Sequence, residues 1–224
     1  MNKKNITLAI IIFFSPLFWR GVGGEAAAQF FQGIGATAGV DLAKEKWFLH
    51  YPDGSSATER KKNIFGFNGS LRAEFIDNEN IRWVTEIQYD QKGCKDKTDS
   101  ATFKNRLNYI CWNNFLKFQY ETFDGFPYLL MGPRVEYLLT QGTKSTAITG
   151  AFQKFNFSWS IGAGFEKIVY GNFKPFIEVH YNPDTPFYYA YKTPPLDIRN
   201  RAWELRIGLI YRPGGHDSCP GVVY

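Results

Sequence analysis

Apolar and polar residues alternate along eight stretches of this chain, between residues 34 and 211. Alternation with a period of two is typical of a β-strand that has one apolar face and one polar face. Each stretch has roughly the 9 to 11 residues that a tilted strand needs to cross the hydrocarbon of a membrane. We place the strands at residues 34–42, 64–75, 81–89, 106–120, 128–139, 155–165, 173–181 and 201–211.

The gaps between these stretches are alternately long and short, and this rhythm indicates how the strands are connected. The long, polar gaps are residues 43–63, 90–105, 140–154 and 182–200, and the tight ones are residues 76–80, 121–127 and 169–172. Long external loops and short periplasmic turns are typical of outer-membrane barrels. The pattern therefore predicts an all-β fold, an eight-stranded antiparallel up-and-down transmembrane β-barrel with both chain ends in the periplasm.

A soluble β-sandwich is the alternative explanation of the same alternation, because its aromatic side chains would fill a core between two sheets. Aromatic residues make up 18% of the chain and charged residues 21%. The length of the strands and the many charges on their polar face favour the barrel. Aromatic residues also lie near both ends of the predicted strands, where a barrel meets the two membrane surfaces. In the strand at 106–120, Asn114 interrupts the alternation, so we expect a bulge there.

The first 28 residues have the order of regions found in a secretory signal. Lys3 and Lys4 form the basic region, residues 6–14 form a short apolar run, and residues 26–28 form a small-residue cleavage site. A membrane-anchoring helix is the alternative, but the apolar run is too short to span a bilayer. The sequence thus predicts three segments: a signal peptide at 1–28, the outer-membrane β-barrel at 29–212 and a flexible C-terminal tail at 213–224.

The net charge changes little in this interpretation and does not indicate a nucleic-acid partner. Cleavage after residue 28 removes Lys3, Lys4, Arg20 and Glu25, so the net charge falls from +5 to +3. Export from the cytoplasm also argues against binding nucleic acid. We expect outer-membrane lipid and lipopolysaccharide as the surroundings, and a protein partner at the external loops.

The polar faces of the predicted strands carry charged residues that would point into the barrel. An eight-stranded barrel is just wide enough for its own side chains, so these groups cannot line an open pore. They should pair across the lumen, because an unpaired charge in a confined interior is costly. We predict a luminal charge network of Asp41, Arg72, Glu74, Arg82, Glu86, Lys117, Arg134, Glu136, Glu166, Glu178, Glu204 and Arg206. The functional alternative is a narrow channel for protons or ions.

Candidate catalytic and metal-binding residues are few. None of the three histidines has a second His or Cys at metal-ligand spacing, and the three cysteines are too widely spaced for a zinc site, so we expect no metal and no cofactor. His50 shares the first external loop with Ser55 and Ser56, and Glu178 precedes His180 on one strand face. A lipid-modifying enzyme would depend on such groups. We expect no catalytic residue, since structural barrels also hold such residues.

Three of the predicted external loops have a composition that points to binding. The first and second loops carry basic residues that would meet the phosphates of lipopolysaccharide: Arg60, Lys61, Lys62, Lys92, Lys95 and Lys97. The fourth loop is rich in proline and aromatic residues, and clustered tyrosines are common at protein interfaces. It supplies a predicted partner-binding loop of Phe187, Tyr188, Tyr189 and Tyr191. The alternative is that this loop folds back over the mouth of the barrel.

Three stretches of the chain resemble the PorT-like outer-membrane β-barrel proteins of Gram-negative bacteria. They are residues 107–133, with Pro127-Tyr128-Leu129-Leu130-Met131-Gly132-Pro133 at the end, residues 161–165, and residues 199–211. The resemblance implies the barrel fold and an outer-membrane location. Some members of the family take part in protein secretion or gliding, so it also implies an accessory role in a secretion system. It carries over no catalytic residue.

Overall fold

A computed structural model describes residues 31–76, 78–98, 101–142, 152–169, 171–183, 190–193 and 195–213. The predicted signal peptide, and the predicted tail apart from its first residue, lie outside these residues, as do Phe187, Tyr188 and Tyr189. The described residues form ten strands: β1 (Phe31–His50), β2 (Ser56–Arg60), β3 (Ile64–Phe75), β4 (Ile81–Thr98), β5 (Ala101–Gln119), β6 (Gly125–Gly142), β7 (Phe155–Lys167), β8 (Phe173–Asn182), β9 (Tyr191–Thr193) and β10 (Leu196–Tyr211).

Eight of these strands close into a ring. Each of β1, β3, β4, β5, β6, β7, β8 and β10 pairs antiparallel with its neighbours, and β10 returns to pair with β1. That closing pairing runs from Ile34 opposite Tyr211 to Leu49 opposite Leu196. The prediction of an all-β, eight-stranded, antiparallel up-and-down barrel is therefore confirmed. The two short strands β2 and β9 extend the sheet at one end, which we call the external end; the opposite end is the periplasmic end.

The strand ladders differ in length around the ring. The pairing of β7 with β8 covers six residue pairs, from Ile161–Tyr181 to Glu166–Phe176, and it is the shortest in the part of the ring that the structure describes. The pairing of β1 with β10 covers sixteen.

Three of the four predicted long loops are wrong, because strands extend into them; in the loop predicted at 182–200, β9 is present and β10 already begins at Leu196. β4 and β5 remain paired as far as Thr98 and Ala101, so residues 90–98 and 101–105 are the paired arms of a hairpin. β1 continues to His50 and, after a turn, pairs with β2. In that turn the Asp53 carboxylate accepts hydrogen bonds from the N–H and the hydroxyl of Ser55, and these bonds lower the pKa of Asp53. The predicted strands end where the outward residues cease to be apolar, whereas the backbone hydrogen bonds between the strands continue beyond that point.

The outer face of the ring carries a belt of exposed apolar side chains. It includes Val40, Phe65, Leu71, Ile87, Leu129, Ile161, Trp203 and Ile207. Such a large exposed apolar surface requires a cover, and membrane lipid covers it in barrels of this kind. Toward the external end the outward positions become basic, at Lys44 and Lys46 on β1 and at Arg201 and Arg199 on β10. The apolar belt thus ends near Leu42 and Trp203.

The expected bulge in the strand at 106–120 lies elsewhere in that strand. The register of β5 against β6 shifts between Asn108 and Tyr109, not beside Asn114. Asn114 therefore keeps its outward position, but it is buried, directly opposite Thr85 on β4. The Thr85 hydroxyl accepts a hydrogen bond from the indole of Trp112, so polar side chains meet at this point of the outer face.

No helix among the described residues is long and apolar enough to cross a membrane.

Candidate functional site in the barrel lumen

Alternation along the strands turns the predicted network residues toward the barrel interior. Eleven of the twelve are buried, and the side chain of Arg82, at the periplasmic end, is 16% exposed. Three strands contribute two network residues spaced two apart, as with Arg72 and Glu74 on β3, because side chains at i and i+2 share one face. Charged side chains thus fill much of the lumen, together with a small apolar cluster of Val84, Phe115, Tyr128 and Leu130.

Arg134 lies at the centre of the external half of the network. Its Nη1 donates to Glu204 Oε1 at 2.8 Å, its Nη2 donates to Asp90, and its Nε lies 2.9 Å from Glu136 Oε1. Three carboxylates from β4, β6 and β10 therefore converge on one guanidinium. Since Arg134 has 0% exposure, the arrangement excludes solvent from the middle of the barrel.

Arg206 extends this cluster across the lumen. It donates to Glu86 at 2.8 Å and to Glu204 at 2.6 Å, so Glu204 bridges the two buried arginines. Gln88 adds a neutral link, because its amide nitrogen donates to Glu204 and its amide oxygen accepts from Arg134. The network is therefore continuous from β4 through β6 to β10.

A second cluster occupies the periplasmic half. Arg72 donates to Glu178 at 2.6 Å, and Lys117 donates to Glu166 at 2.9 Å and to Glu74 at 3.2 Å. Arg212, which follows the last strand, joins it with contacts to Glu166 at 2.7 Å and Glu74 at 2.9 Å. Arg212 was not among the predicted network residues, because nothing in the strand pattern shows that a residue beyond β10 folds inward.

Two charged luminal residues lie where the sequence predicted an external loop. Asp90 is buried against Arg134, and Lys92 is 2% exposed, with its Nζ 2.5 Å from Glu136 Oε1. The prediction that Lys92 faces external phosphates is therefore wrong. Glu86, Gln88, Asp90 and Lys92 continue one inward series along β4, so the period of two would have found both residues had the strand been extended.

Ser160, His180 and Glu178 form a hydrogen-bonded series on β7 and β8. Ser160 Oγ lies 3.2 Å from His180 Nδ1, and His180 Nε2 lies 3.0 Å from Glu178 Oε2. The order of groups matches that of a nucleophile, a base and an orienting carboxylate. All three are buried, and Glu178 also accepts from Arg72 and from the Tyr128 hydroxyl. The series therefore orients side chains within the packed lumen, where a lipid substrate has no access to Ser160.

Small residues on β7 make room for these rings. A Cβ atom at Gly162 would lie 2.7 Å from His180 Nδ1, and one at Gly164 would lie 2.5 Å from the ring of Tyr128. Because such distances are shorter than any ordinary contact, both positions require glycine while His180 and Tyr128 keep their places.

The other predicted catalytic candidates are not brought together. His50 contacts Asp197 at 3.1 Å at the external end, and the hydroxyl of Ser55 binds Asp53 in the turn after β1. His50 thus has a carboxylate partner, but no hydroxyl nucleophile of the described residues binds its ring.

Two groups of luminal side chains have the composition of a cation site. Oxygen atoms of Asp41, Asp90 and Glu204 lie within 4.8 Å of one another, as do ligand atoms of Asp90, Cys111 and Glu136. Arg134 contacts members of both groups, including the sulfur of Cys111 at 3.1 Å. Its guanidinium already supplies the positive charge that a metal ion would bring, so the geometry does not favour a metal here.

An apolar cluster closes the lumen at the external end. It consists of Trp47, Cys94, Leu107, Tyr109, Cys111, Leu138, Phe152, Ala190, Tyr191, Leu196 and Ile198. Tyr191 is 1% exposed and packs on Phe152, so its ring is not available to a partner. The prediction that Tyr191 binds a partner is therefore wrong. Residues 190–193 fold back over the barrel mouth, as the alternative interpretation of this loop predicts.

Glu45 lies beside this cluster and was also missed by the sequence prediction. Its carboxylate accepts hydrogen bonds from the indole of Trp47 at 2.8 Å, from Cys94 Sγ at 3.1 Å and from the amide of Asn105. Cys94 and Cys111 are both free thiols. The external end is therefore a small core of its own, built from strand extensions rather than from flexible loops.

Comparison with known proteins shows the fold but no family. No family model and no curated protein matches the chain. Among solved structures, the outer membrane protein OprG from Pseudomonas aeruginosa is similar with a TM-score of 0.54 and 10% identity, over 83% of this chain and 99% of that chain. Neisserial surface protein A gives a TM-score of 0.46 and 16% identity, over 80% and 96% of the two chains. The chain thus has the fold of an outer-membrane β-barrel, and its apolar belt suits that location. The resemblance to PorT-like proteins stays a prediction.

Proposed function

We propose that this chain is a non-enzymatic outer-membrane barrel that acts by binding a protein partner at its external end. The observation that carries the proposal is the closed lumen, in which Arg134 and Arg206 both have 0% exposure. A barrel whose interior is filled by paired charges has no path for a solute. What remains available for function is its surface.

The external end provides a suitable surface. β1 with β2, and β4 with β5, extend as paired strands beyond the apolar belt, and the apolar cluster packs between the strand extensions. A pre-ordered surface binds with less loss of conformational entropy than a flexible loop does. The resemblance to PorT-like proteins supports a partner in a protein secretion system, with this barrel as an accessory.

Site-specific crosslinking in cells tests this proposal. We expect a photoreactive amino acid at Tyr51, which is 49% exposed in the turn after β1, to form a crosslinked adduct with one protein. The same amino acid at Phe123, in the exposed β5–β6 turn at the periplasmic end, is the matched control and should give none. Adducts from Phe123 alone would place the binding surface at the wrong end of the barrel.

The closed lumen argues most directly against a channel function. We expect the purified barrel to give no stable single-channel conductance in planar lipid bilayers, because Arg134, Arg206 and Glu204 fill the cross-section. Heat-dependent mobility on a denaturing gel serves to verify that the protein in the membrane is folded. A reproducible conductance from folded protein would show that the network opens, and the proposal of a closed barrel would then fail.

A further inference from the structure

Basic residues lie side by side on the outer face of the external end, in two rows. In the first basic row, Arg60 on β2 is directly opposite Lys46 on β1, which is directly opposite Arg199 on β10. In the second basic row, Lys62 is bridged to Lys95 on β4, which is directly opposite Lys104 on β5. Each row thus crosses three neighbouring segments with three positive charges.

Both rows lie beyond the external edge of the apolar belt, the second row farther out than the first. On β1 the outward series continues from Val40 and Leu42 to Lys44 and Lys46, and Lys44 lies opposite Arg201. Since a strand rises about 3.3 Å per residue, Lys46 in the first row lies roughly 13 Å along β1 from Leu42, and Lys95 in the second row lies roughly 20 Å along β4 from Tyr89. Both rows therefore lie past the hydrocarbon, on the polar side of the outer leaflet.

The two basic rows destabilise the sheet when no ligand is bound to them. Like charges directly opposite each other on neighbouring strands repel and destabilise the pairing. Among the side chains that the structure describes, no carboxylate forms an ion pair with Lys46, Arg60, Lys62 or Lys104. The nearby acidic residues are engaged elsewhere: Glu59 pairs with Lys61, and Asp197 binds His50. An external anion would relieve this repulsion.

We propose that the two basic rows bind the phosphate groups of lipopolysaccharide in the outer leaflet. Arginine offers a planar fork of donors that matches a phosphate, and lysine adds a point charge. The ligand is a glycolipid rather than a free ion, because the apolar belt lies on the membrane side of both rows and accepts its acyl chains while the rows hold the phosphates of its polar part. The inference rests on the proposed orientation, in which this end of the barrel faces outward.

The geometry distinguishes these rows from scattered surface lysines. Lys46 Nζ lies 4.7 Å from the centre of the Phe48 ring, and the Arg199 guanidinium lies 4.8 Å from the same ring. Contact with this one ring restricts the positions of both cations in the first row. The two rows lie on different sectors of the ring of strands, so one barrel would hold two glycolipid molecules.

Binding of purified lipopolysaccharide to the folded barrel in a neutral detergent tests the proposal. The test variants are Lys46→Gln/Arg60→Gln for the first row and Lys95→Gln/Lys104→Gln for the second. The control is Lys167→Gln/Lys174→Gln, which removes two charges at the periplasmic end. We expect each row variant to bind about tenfold more weakly and the control to bind as the wild type does. Heat-dependent gel mobility must show that all variants are folded.

Two further ligands identify what the rows bind. Lipopolysaccharide from which the phosphates have been removed should bind the wild-type barrel as weakly as the row variants bind the intact lipid. Inorganic phosphate at the same molar concentration should not displace the lipid, and displacement would show a site for the free ion instead. Equal binding by wild type and both row variants would overturn the proposal. Crosslinking at Tyr51 reports separately on the protein partner, so the two proposals can fail independently.

Discussion

Replacing Arg134 by methionine should lower the free energy of unfolding of the barrel by about 4 kcal/mol. The side chain has 0% exposure and contacts Asp90, Glu136 and Glu204. Methionine fills much of the same volume but leaves three carboxylates close together without their shared cation. Removing one partner of a buried ionic cluster is costly, because the remaining charges stay desolvated and repel one another.

Equilibrium unfolding by urea in phospholipid vesicles, followed by tryptophan fluorescence, measures this change. Arg201→Met is the matched control, since it removes an outward arginine above the apolar belt; it should cost less than about 1 kcal/mol. Adding Glu204→Gln to Arg134→Met should recover part of the loss, because it removes one of the stranded charges. A loss below about 1 kcal/mol for Arg134→Met would mean that water reaches this cluster and solvates the carboxylates.

Replacing Ile207 by arginine should lower the free energy of unfolding by about 3 kcal/mol, the cost of a basic side chain near the middle of a bilayer. Ile207 is 64% exposed on the outer face of β10, between Leu205 and Leu209, in the centre of the apolar belt. Its new charge would be placed in lipid and could reach neither the lumen nor the headgroups without distortion.

Tyr51→Arg is the control for this substitution, because it introduces the same side chain in the exposed turn after β1, outside the belt. We expect a change below about 1 kcal/mol there. The same vesicle unfolding assay compares both variants. If Ile207→Arg and Tyr51→Arg were equally mild, β10 would not face lipid, and the assignment of inner and outer faces would be wrong.

The ring of eight strands could be predicted because two solvents act on alternate residues. Along β10, Trp203, Leu205 and Ile207 face outward while Glu204 and Arg206 face the lumen, and this contrast is visible in the sequence alone. The contrast fades where the outer face meets water, although the hydrogen-bonded ladder continues. For that reason the apolar pattern ends eight residues before β1 does, and it predicts a loop at Asp90 and Lys92.

The details of the lumen could not be predicted, because they depend on which strands face each other across the barrel. Arg134 on β6 meets Asp90 on β4 and Glu204 on β10, and their separation in sequence carries no signal of this contact. The same holds for Tyr191, whose aromatic character fits an exposed binding loop and a buried cap equally well. Only the packing of Phe152 against it shows which of the two applies.

The unequal ladders around the ring have a consequence for how the barrel is assembled and dismantled. The sixteen pairs between β1 and β10 join the two ends of the chain, so the step that closes the barrel forms a ladder that, among the described strands, is exceeded in length only by the eighteen pairs of β4 with β5. Once closed, this seam resists separation. Local opening of the closed barrel then begins between β7 and β8, separated from the seam by the β8–β10 ladder alone, where only six pairs hold the two strands together.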